Sequence, residues 1–179
     1  MYYLFLADGF EETEALATLD VMRRARMNVQ TVGVTGVYVT GSHGVTVKPD
    51  IDIADITCED LEGVVLPGGM PGTINLGNSK AVIDCVTHCF ENGCLTAAIC
   101  AAPSILGKLG FLVGRTATCF PGFEGELKGA VATGAHVETD GHVITGKGAG
   151  CAIEFGHAIV AYAIGKAEAD KVIEEMQCL

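Results

Sequence analysis

Positive charge is scarce in this sequence. Over 179 residues, 11 Lys and Arg stand against 22 Asp and Glu, a net charge of -11. Such a surface repels phosphate backbones and anionic lipid headgroups, so neither nucleic acid nor a membrane is an expected partner. No apolar run reaches bilayer-spanning length. The N-terminal apolar stretch has no basic segment before it, is interrupted at Asp8 and lacks a small-residue cleavage signal after it, so it does not read as an export signal. Linkers, repeats and low-complexity tracts are missing, and the 24 glycines follow no fixed period, which excludes collagen and Gly/Ser linkers. The eight cysteines lie below the density of a disulfide scaffold. Together these absences lead to the expectation of a soluble, cytoplasmic protein with reduced thiols. With 49% apolar residues, the chain is long enough for one packed domain over 1–179 and too short for two of ordinary size.

What is present alternates between two hydrophobic periods. Tyr2 to Leu6, Val29 to Val34, Gly63 to Leu66 and Leu95 to Ile99 read as buried strands. Thr13 to Arg26, Lys80 to Glu91, Pro103 to Leu109, Cys151 to Ile164 and Ala167 to Met176 read as helices. Gly36 to Val47 reads as a small antiparallel hairpin, and Arg115 to Cys119, Ala135 to Glu138 and His142 to Thr145 as further strands. The pattern predicts an α/β sandwich, a mostly parallel sheet with helices on both faces. Ligands of such sheets sit beyond the carboxyl ends of the strands, which selects Ala7 to Glu14, Pro67 to Gly72 and the surroundings of Cys100.

Cys100 sits between a predicted strand and a predicted helix in Ala97-Ala98-Ile99-Cys100-Ala101-Ala102-Pro103. A nucleophile elbow needs small residues two positions either side, here Ala98 and Ala102. The following helix N-terminus favours a thiolate, and the Ala101 amide points toward anything bonded to sulfur. The bland alternative is a small residue filling a strand end. The Gly69 amide is placed as a second oxyanion donor, although Pro67 to Gly72 reads equally as an ordinary turn. Glu11, Glu12 and Glu14 follow the first strand, and at least two of them read as a solvated helix N-terminus. One turned toward Cys100 would be raised by desolvation and could then donate to the sulfur. Cys85, His88 and Cys89 share a helix face with Cys94 nearby, but the spacing lacks the paired knuckles of a zinc site, and no metal is expected. Gly146 to Gly150 breaks the dinucleotide pattern at Cys151, and no phosphate-binding P-loop is present, so no cofactor is expected. The histidines supply no clear base: His88 and His157 lie within helices, and His136 and His142 flank a glycine turn and read as exposed.

Three segments in this order, Gly9-Phe10-Glu11-Glu12-Thr13-Glu14, Leu66-Pro67-Gly68-Gly69 and Ala97 to Pro103, resemble the ThiJ/PfpI superfamily, in its parkinsonism-associated deglycase branch. Asp20 to Ala25 and Glu154-Phe155 extend the resemblance over nearly the whole chain. It implies a flavodoxin-like sandwich and a homodimer. It implies that Cys100 is the reactive, oxidisable cysteine, Glu14 its hydrogen-bonding glutamate, Gly69 and Ala101 the oxyanion donors, and Arg24 an arginine near the dimer interface. Members act as cofactor-free glyoxalases, deglycases, redox sensors and chaperones. The sequence departs in two places: Phe120 stands where the family has a histidine near the cysteine, and Ala101 where the protease-like branch has one. His43 stands where the human-type branch has an arginine. The expectation is therefore a cysteine-dependent glyoxalase or deglycase acting on a small carbonyl substrate, with a non-enzymatic redox sensor or stress chaperone as the alternative. Cys119 and Cys151 are candidate resolving thiols, and Cys58, Cys85, Cys89, Cys94 and Cys178 are expected to be ordinary reduced residues.

Overall fold

Successive residues of Tyr2–Leu6 (β1) face opposite sides of a sheet, and both sides are covered. Leu4 and Leu6 enter one hydrophobic core, and Tyr3 and Phe5 enter the other. That two-sided burial is why the strand reads as continuous apolar sequence rather than alternation. The structure, a computed structural model, describes residues 1–178.

Along the chain follow Glu12–Arg24 (α1), Val29–Gly33 (β2), Val39–Thr40 (β3), Thr46–Val47 (β4), Ile51–Asp52 (β5), Gly63–Leu66 (β6), Gly72–Asn78 (α2), Lys80–Glu91 (α3), Leu95–Ile99 (β7) and Pro103–Lys108 (α4). Then come Thr116–Ala117 (β8), Val131–Ala132 (β9), Val137–Asp140 (β10), Val143–Gly146 (β11), Ala152–Ala163 (α5) and Lys166–Glu175 (α6). Seven strands form the main sheet in the order β10-β11-β7-β6-β1-β2-β5, parallel except for the β10–β11 hairpin. One core lies under α1, α5 and α6, around Val21, Met22, Phe155, Ile159 and Val172. The other lies under α2, α3 and α4, around Leu76, Val82, Val86, Ile105 and Leu106. The result is the flavodoxin-like α/β sandwich. No helix among the described residues is long and apolar enough to cross a membrane.

Helices α1 and α5 cross where Gly156 leaves no room: a Cβ there would stand 2.9 Å from Val21 Cβ. Central strands β7, β6 and β1 are adjacent, so the loops leaving their carboxyl ends meet over the middle of the sheet.

Several expectations change. Arg115 to Cys119 contributes only Thr116–Ala117, which pairs with β9 in a separate two-stranded sheet, because Asp140 draws Thr116 and Arg115 to the sheet edge. The β5 edge pair and helix α2 carry too few apolar residues to signal themselves. His142 is half-buried against Phe90 rather than exposed, with ring centroids 5.1 Å apart. Cys58 and Cys85 are not reduced bystanders. They form a disulfide, because the loop carrying Cys58 packs on α3 with Cα atoms 5.4 Å apart, a proximity invisible across 27 residues of sequence. Cys89, Cys94, Cys100, Cys119, Cys151 and Cys178 are free.

The Phe155 ring is wholly buried between α1, α5 and the sheet. Phe155→Ala should therefore cost about 3–5 kcal/mol of unfolding free energy. Urea titration measures this as a lower midpoint at unchanged slope; a loss below about 1 kcal/mol would contradict the described packing.

Candidate active site

Strand β7 ends at Ile99 and α4 begins at Pro103, leaving Cys100 to turn the chain at φ 65°. This is left-handed backbone, unfavourable for a residue with a Cβ, and such strain persists only where surroundings impose it. Here the Cys100 N–H donates to Gly146 O at 2.8 Å, and its carbonyl accepts from Phe120 N–H at 2.9 Å. Both backbone groups are thus tied to neighbouring segments, and the half-buried sulfur is held over the sheet edge.

The loop after β6 comes close because Gly68 has no side chain. A Cβ there would lie 2.7 Å from Cys100 Cβ and 2.8 Å from Glu14 Oε2. Gly69 adopts φ 86°, and a Cβ on it would strike Glu11 N at 2.4 Å. The amides of Gly69 and Ala101 both face the Cys100 sulfur and favour its anion. Gly68 was not singled out from sequence. The glycine pair after a strand was the signal, but which of the two permits the contact depends on how the loop meets β7.

Glu14 reaches this point from the first turn of α1, where its N–H is capped by Glu11 Oε2 at 2.6 Å. Its side chain is 1% exposed. Oε2 accepts the Gly68 N–H at 2.8 Å, whereas the buried Oε1 has no ordinary hydrogen-bond partner. Burial raises the Glu14 carboxyl to about 7, against the lowering influence of the Cys100 thiol and the Gly68 amide. Burial likewise raises the Cys100 thiol to about 12, reinforced by the Glu14 charge, while the two amides oppose it. The helix-dipole expectation of a ready thiolate therefore fails for the resting site: α4 is only six residues long, and burial beside a carboxylate outweighs it. Protonating Glu14 removes the charge facing the sulfur and so eases ionisation of the thiol, although burial still opposes it. A carboxyl poised near neutrality beside a thiol and two convergent amides can both take and give a proton while an oxyanion is held.

The expectation that the neighbouring acids are solvated is overturned. Glu12 is buried, and its Oε1 accepts the N–H groups of His43 at 2.7 Å and Val45 at 3.3 Å. These bonds and the His43 ring hold it ionised, at about 2, against its burial. His43 is engaged with Glu12 rather than free beside the sulfur. No imidazole is among the groups that set the Cys100 thiol; these are Glu14, Gly69 and Ala101. Phe120, 48% exposed, lines a groove of about 410 Å³ with Pro121, His136, Lys147, Gly148 and Cys151. A hollow of about 530 Å³ between α2 and α4 is larger, but none of Cys100, Glu14, Gly69 and Ala101 lines it. Cys119 is buried, which pushes its thiol up to about 11, and the buried Cys151 thiol donates to His136 O and Gly148 O, each at 3.1 Å. Arg24 pairs with Asp20 at 2.7 Å on the exposed side of α1.

Residues 2–162 match the model of the DJ-1/PfpI family. Protein DJ-1 homolog A of Arabidopsis thaliana is 38% identical over 171 residues, covering 93% of this chain and 44% of that protein. The chain thus spans less than half the length of this plant relative. A Thermococcus kodakarensis protein named deglycase TK1284 is 32% identical over 143 residues, covering 79% of this chain and 86% of its own. The structure of oxidised Toxoplasma gondii DJ-1 superimposes with a TM-score of 0.94 at 30% identity, covering 98% of this chain and 97% of that one.

Between pH 4.5, the ordinary glutamate value, and about 7, folded Glu14 keeps a proton that the unfolded chain has lost. Its contribution to stability is therefore complete at low pH and disappears as pH rises through about 7. Chemical denaturation at pH 5 and pH 8 should show wild type losing about 3 kcal/mol more than Glu14→Gln over this interval. A difference between the two proteins that does not move with pH would refute the raised carboxyl.

Proposed function

The chain belongs to the DJ-1/PfpI family, and from that premise we propose that it is a cofactor-free, cysteine-dependent enzyme of the glyoxalase or deglycase type. Its substrates are small 2-oxoaldehydes or their adducts, and it works as a cytoplasmic homodimer. The observation that carries this reading is the buried Glu14 carboxyl, raised to about 7 and facing a thiol that two backbone amides also face.

The reaction follows from these groups. Glu14, as carboxylate, takes the Cys100 proton while sulfur adds to the aldehyde carbon. The carbonyl oxygen becomes an oxyanion held by the Gly69 and Ala101 amides. That oxygen takes the proton back from Glu14 to give a hemithioacetal. Glu14 next removes the proton from the former aldehyde carbon to form an enediolate, the hydroxyl proton passes to the neighbouring oxygen, and Glu14 returns its proton to the neighbouring carbon. The product at this stage is a thioester of a 2-hydroxy acid. Water then cleaves the thioester, releasing the hydroxy acid and restoring the thiol. The sum is addition of one water to the oxoaldehyde, with no net redox change.

Phe120 bears on which leaving groups are handled. Amide cleavage must protonate a poor leaving group, and Phe120 offers no proton where the family carries histidine. An aldehyde needs no such assistance, so the site favours oxoaldehydes over amides.

Lactate formation from methylglyoxal by metal-free protein tests the proposal. Cys100→Ala should abolish turnover, and Glu14→Gln should lower kcat by about 10²–10⁴-fold. Wild-type rates in Cys100→Ala would defeat the reading.

The unpartnered Glu14 Oε1 favours a second role, as an oxidation sensor. A sulfinate on Cys100 would accept from both amides and from protonated Glu14. Mild peroxide should then add two oxygens at Cys100 in preference to Cys94, Cys119, Cys151 and Cys178, as read by peptide mass spectrometry. Uniform oxidation of these thiols would remove the sensor reading, and selective oxidation without lactate turnover would make sensing the sole function.

A further inference from the structure

The hollow between α2 and α4 takes no part in the proposed chemistry. Its volume of about 530 Å³ is that of a small-molecule site. Met70, Ile74, Ile83, Ile105, Leu109 and Phe123 make its walls apolar. Met70 and Ile74 are half-exposed, so apolar surface at its mouth stays in contact with water. Helices α2 and α4 pack on the opposite face of the sheet from α1. The hollow therefore lies away from Arg24, the residue that the family resemblance puts near a dimer interface.

Gly77 keeps this space open. It lies in the last turn of α2, where glycine is a poor helix former, and packing does not require it. A Cβ there would meet Ile105 atoms at 3.7 and 3.9 Å, an ordinary van der Waals separation, so a longer side chain would extend into the hollow. Thr73, on the same helix, also lines the hollow and is 5% exposed. Its buried hydroxyl has no hydrogen-bond partner among the described residues, where buried polar atoms are nearly always paired. Lys108 and Glu126 are the two charged residues of the lining. Gly107 has no room for a Cβ against the Glu126 carbonyl, so the turn carrying Glu126 seats directly on α4, one residue before Lys108. Neither charge forms an ion pair among the described residues.

We propose that this hollow binds a free hydrophobic α-amino acid. A ligand of one charge would meet one favourable and one unfavourable group in this lining, whereas a zwitterion is matched by both. Its carboxylate pairs with the Lys108 ammonium and its ammonium with the Glu126 carboxylate. Its side chain lies against Ile74, Leu109 and Phe123 and takes their apolar area out of water. The Thr73 hydroxyl gains the partner it lacks. Binding here is independent of Cys100 and Glu14, neither of which lines the hollow. The occupant nevertheless rests on the two segments that carry the oxyanion amides, since Met70 follows Gly69 and Ser104 stands three residues after Ala101.

Calorimetric titration of the full chain with L-phenylalanine tests the site. One molecule should bind per chain. Phenylpropanoate, which lacks the ammonium, and phenethylamine, which lacks the carboxylate, should each bind about tenfold more weakly or worse, as should glycine, which lacks the apolar side chain. Gly77→Leu should fill the hollow and abolish binding, with a cooperative thermal transition showing that the variant is folded. Lys108→Ala, a change of an exposed side chain, should weaken binding by about tenfold. Cys100→Ala should bind as wild type does. Absence of saturable binding, equal affinity for phenylpropanoate, phenethylamine or glycine, wild-type affinity in Gly77→Leu or in Lys108→Ala, or loss of binding in Cys100→Ala would each overturn the proposal.

Discussion

A carboxyl group buried to 1% exposure against a sulfur organises this molecule. Neither partner is comfortable there: burial raises both the Glu14 carboxyl and the Cys100 thiol, and the carboxylate charge works against ionising the sulfur. The rest of the site answers that discomfort. Gly68 gives up its side chain so that its amide can reach Glu14, and the amides of Gly69 and Ala101 offer the sulfur the hydrogen bonds that burial removes. Cys100 accepts a left-handed backbone because its own N–H and carbonyl are tied to Gly146 and Phe120. Each piece comes from a different strand end, and the sheet order places β7, β6 and β1 side by side.

Sequence made some of this legible and hid the rest for identifiable reasons. The central strands announced themselves because both their faces are buried, and the rule that ligands meet the carboxyl ends of parallel strands selected all three loops. Cys100 stood out through the small residues around it. The state of its thiol did not, because the argument from helix N-termini sees the following helix and not the carboxylate arriving from α1. Spacing and composition made Glu11, Glu12 and Glu14 look alike, the family resemblance alone singled out Glu14, and tertiary contacts give each its place. One caps the helix, one closes the hairpin loop through His43 and Val45, and one faces the sulfur. Residues 115–140 were the least legible segment, because its strands are two to four residues long and take their positions from Asp140 and its partners.

The cysteines show the same limit from another side. Counting them argued against a disulfide framework, and that remains fair for the chain as a whole. Yet Cys58 and Cys85 are joined, since a pairing depends on where a loop lands on a helix and not on density. Cys151 is buried with its thiol bonded to two carbonyls, and Cys119 is buried with its thiol raised. Both are poorer nucleophiles than their sequence neighbourhood suggested. Phe120 supplies a half-exposed ring and a backbone donor to the Cys100 carbonyl, and Glu14 is the titratable side chain that faces the sulfur.

The helix that delivers Glu14 is also the helix pressed against Gly156 of α5, where no Cβ fits without moving Val21. Chemistry and architecture therefore share one lever arm. Whatever room a side chain at position 156 demanded would have to come from the helix that also carries the carboxyl to the sulfur, so the closeness of one helix crossing sets the reach of a residue two turns away.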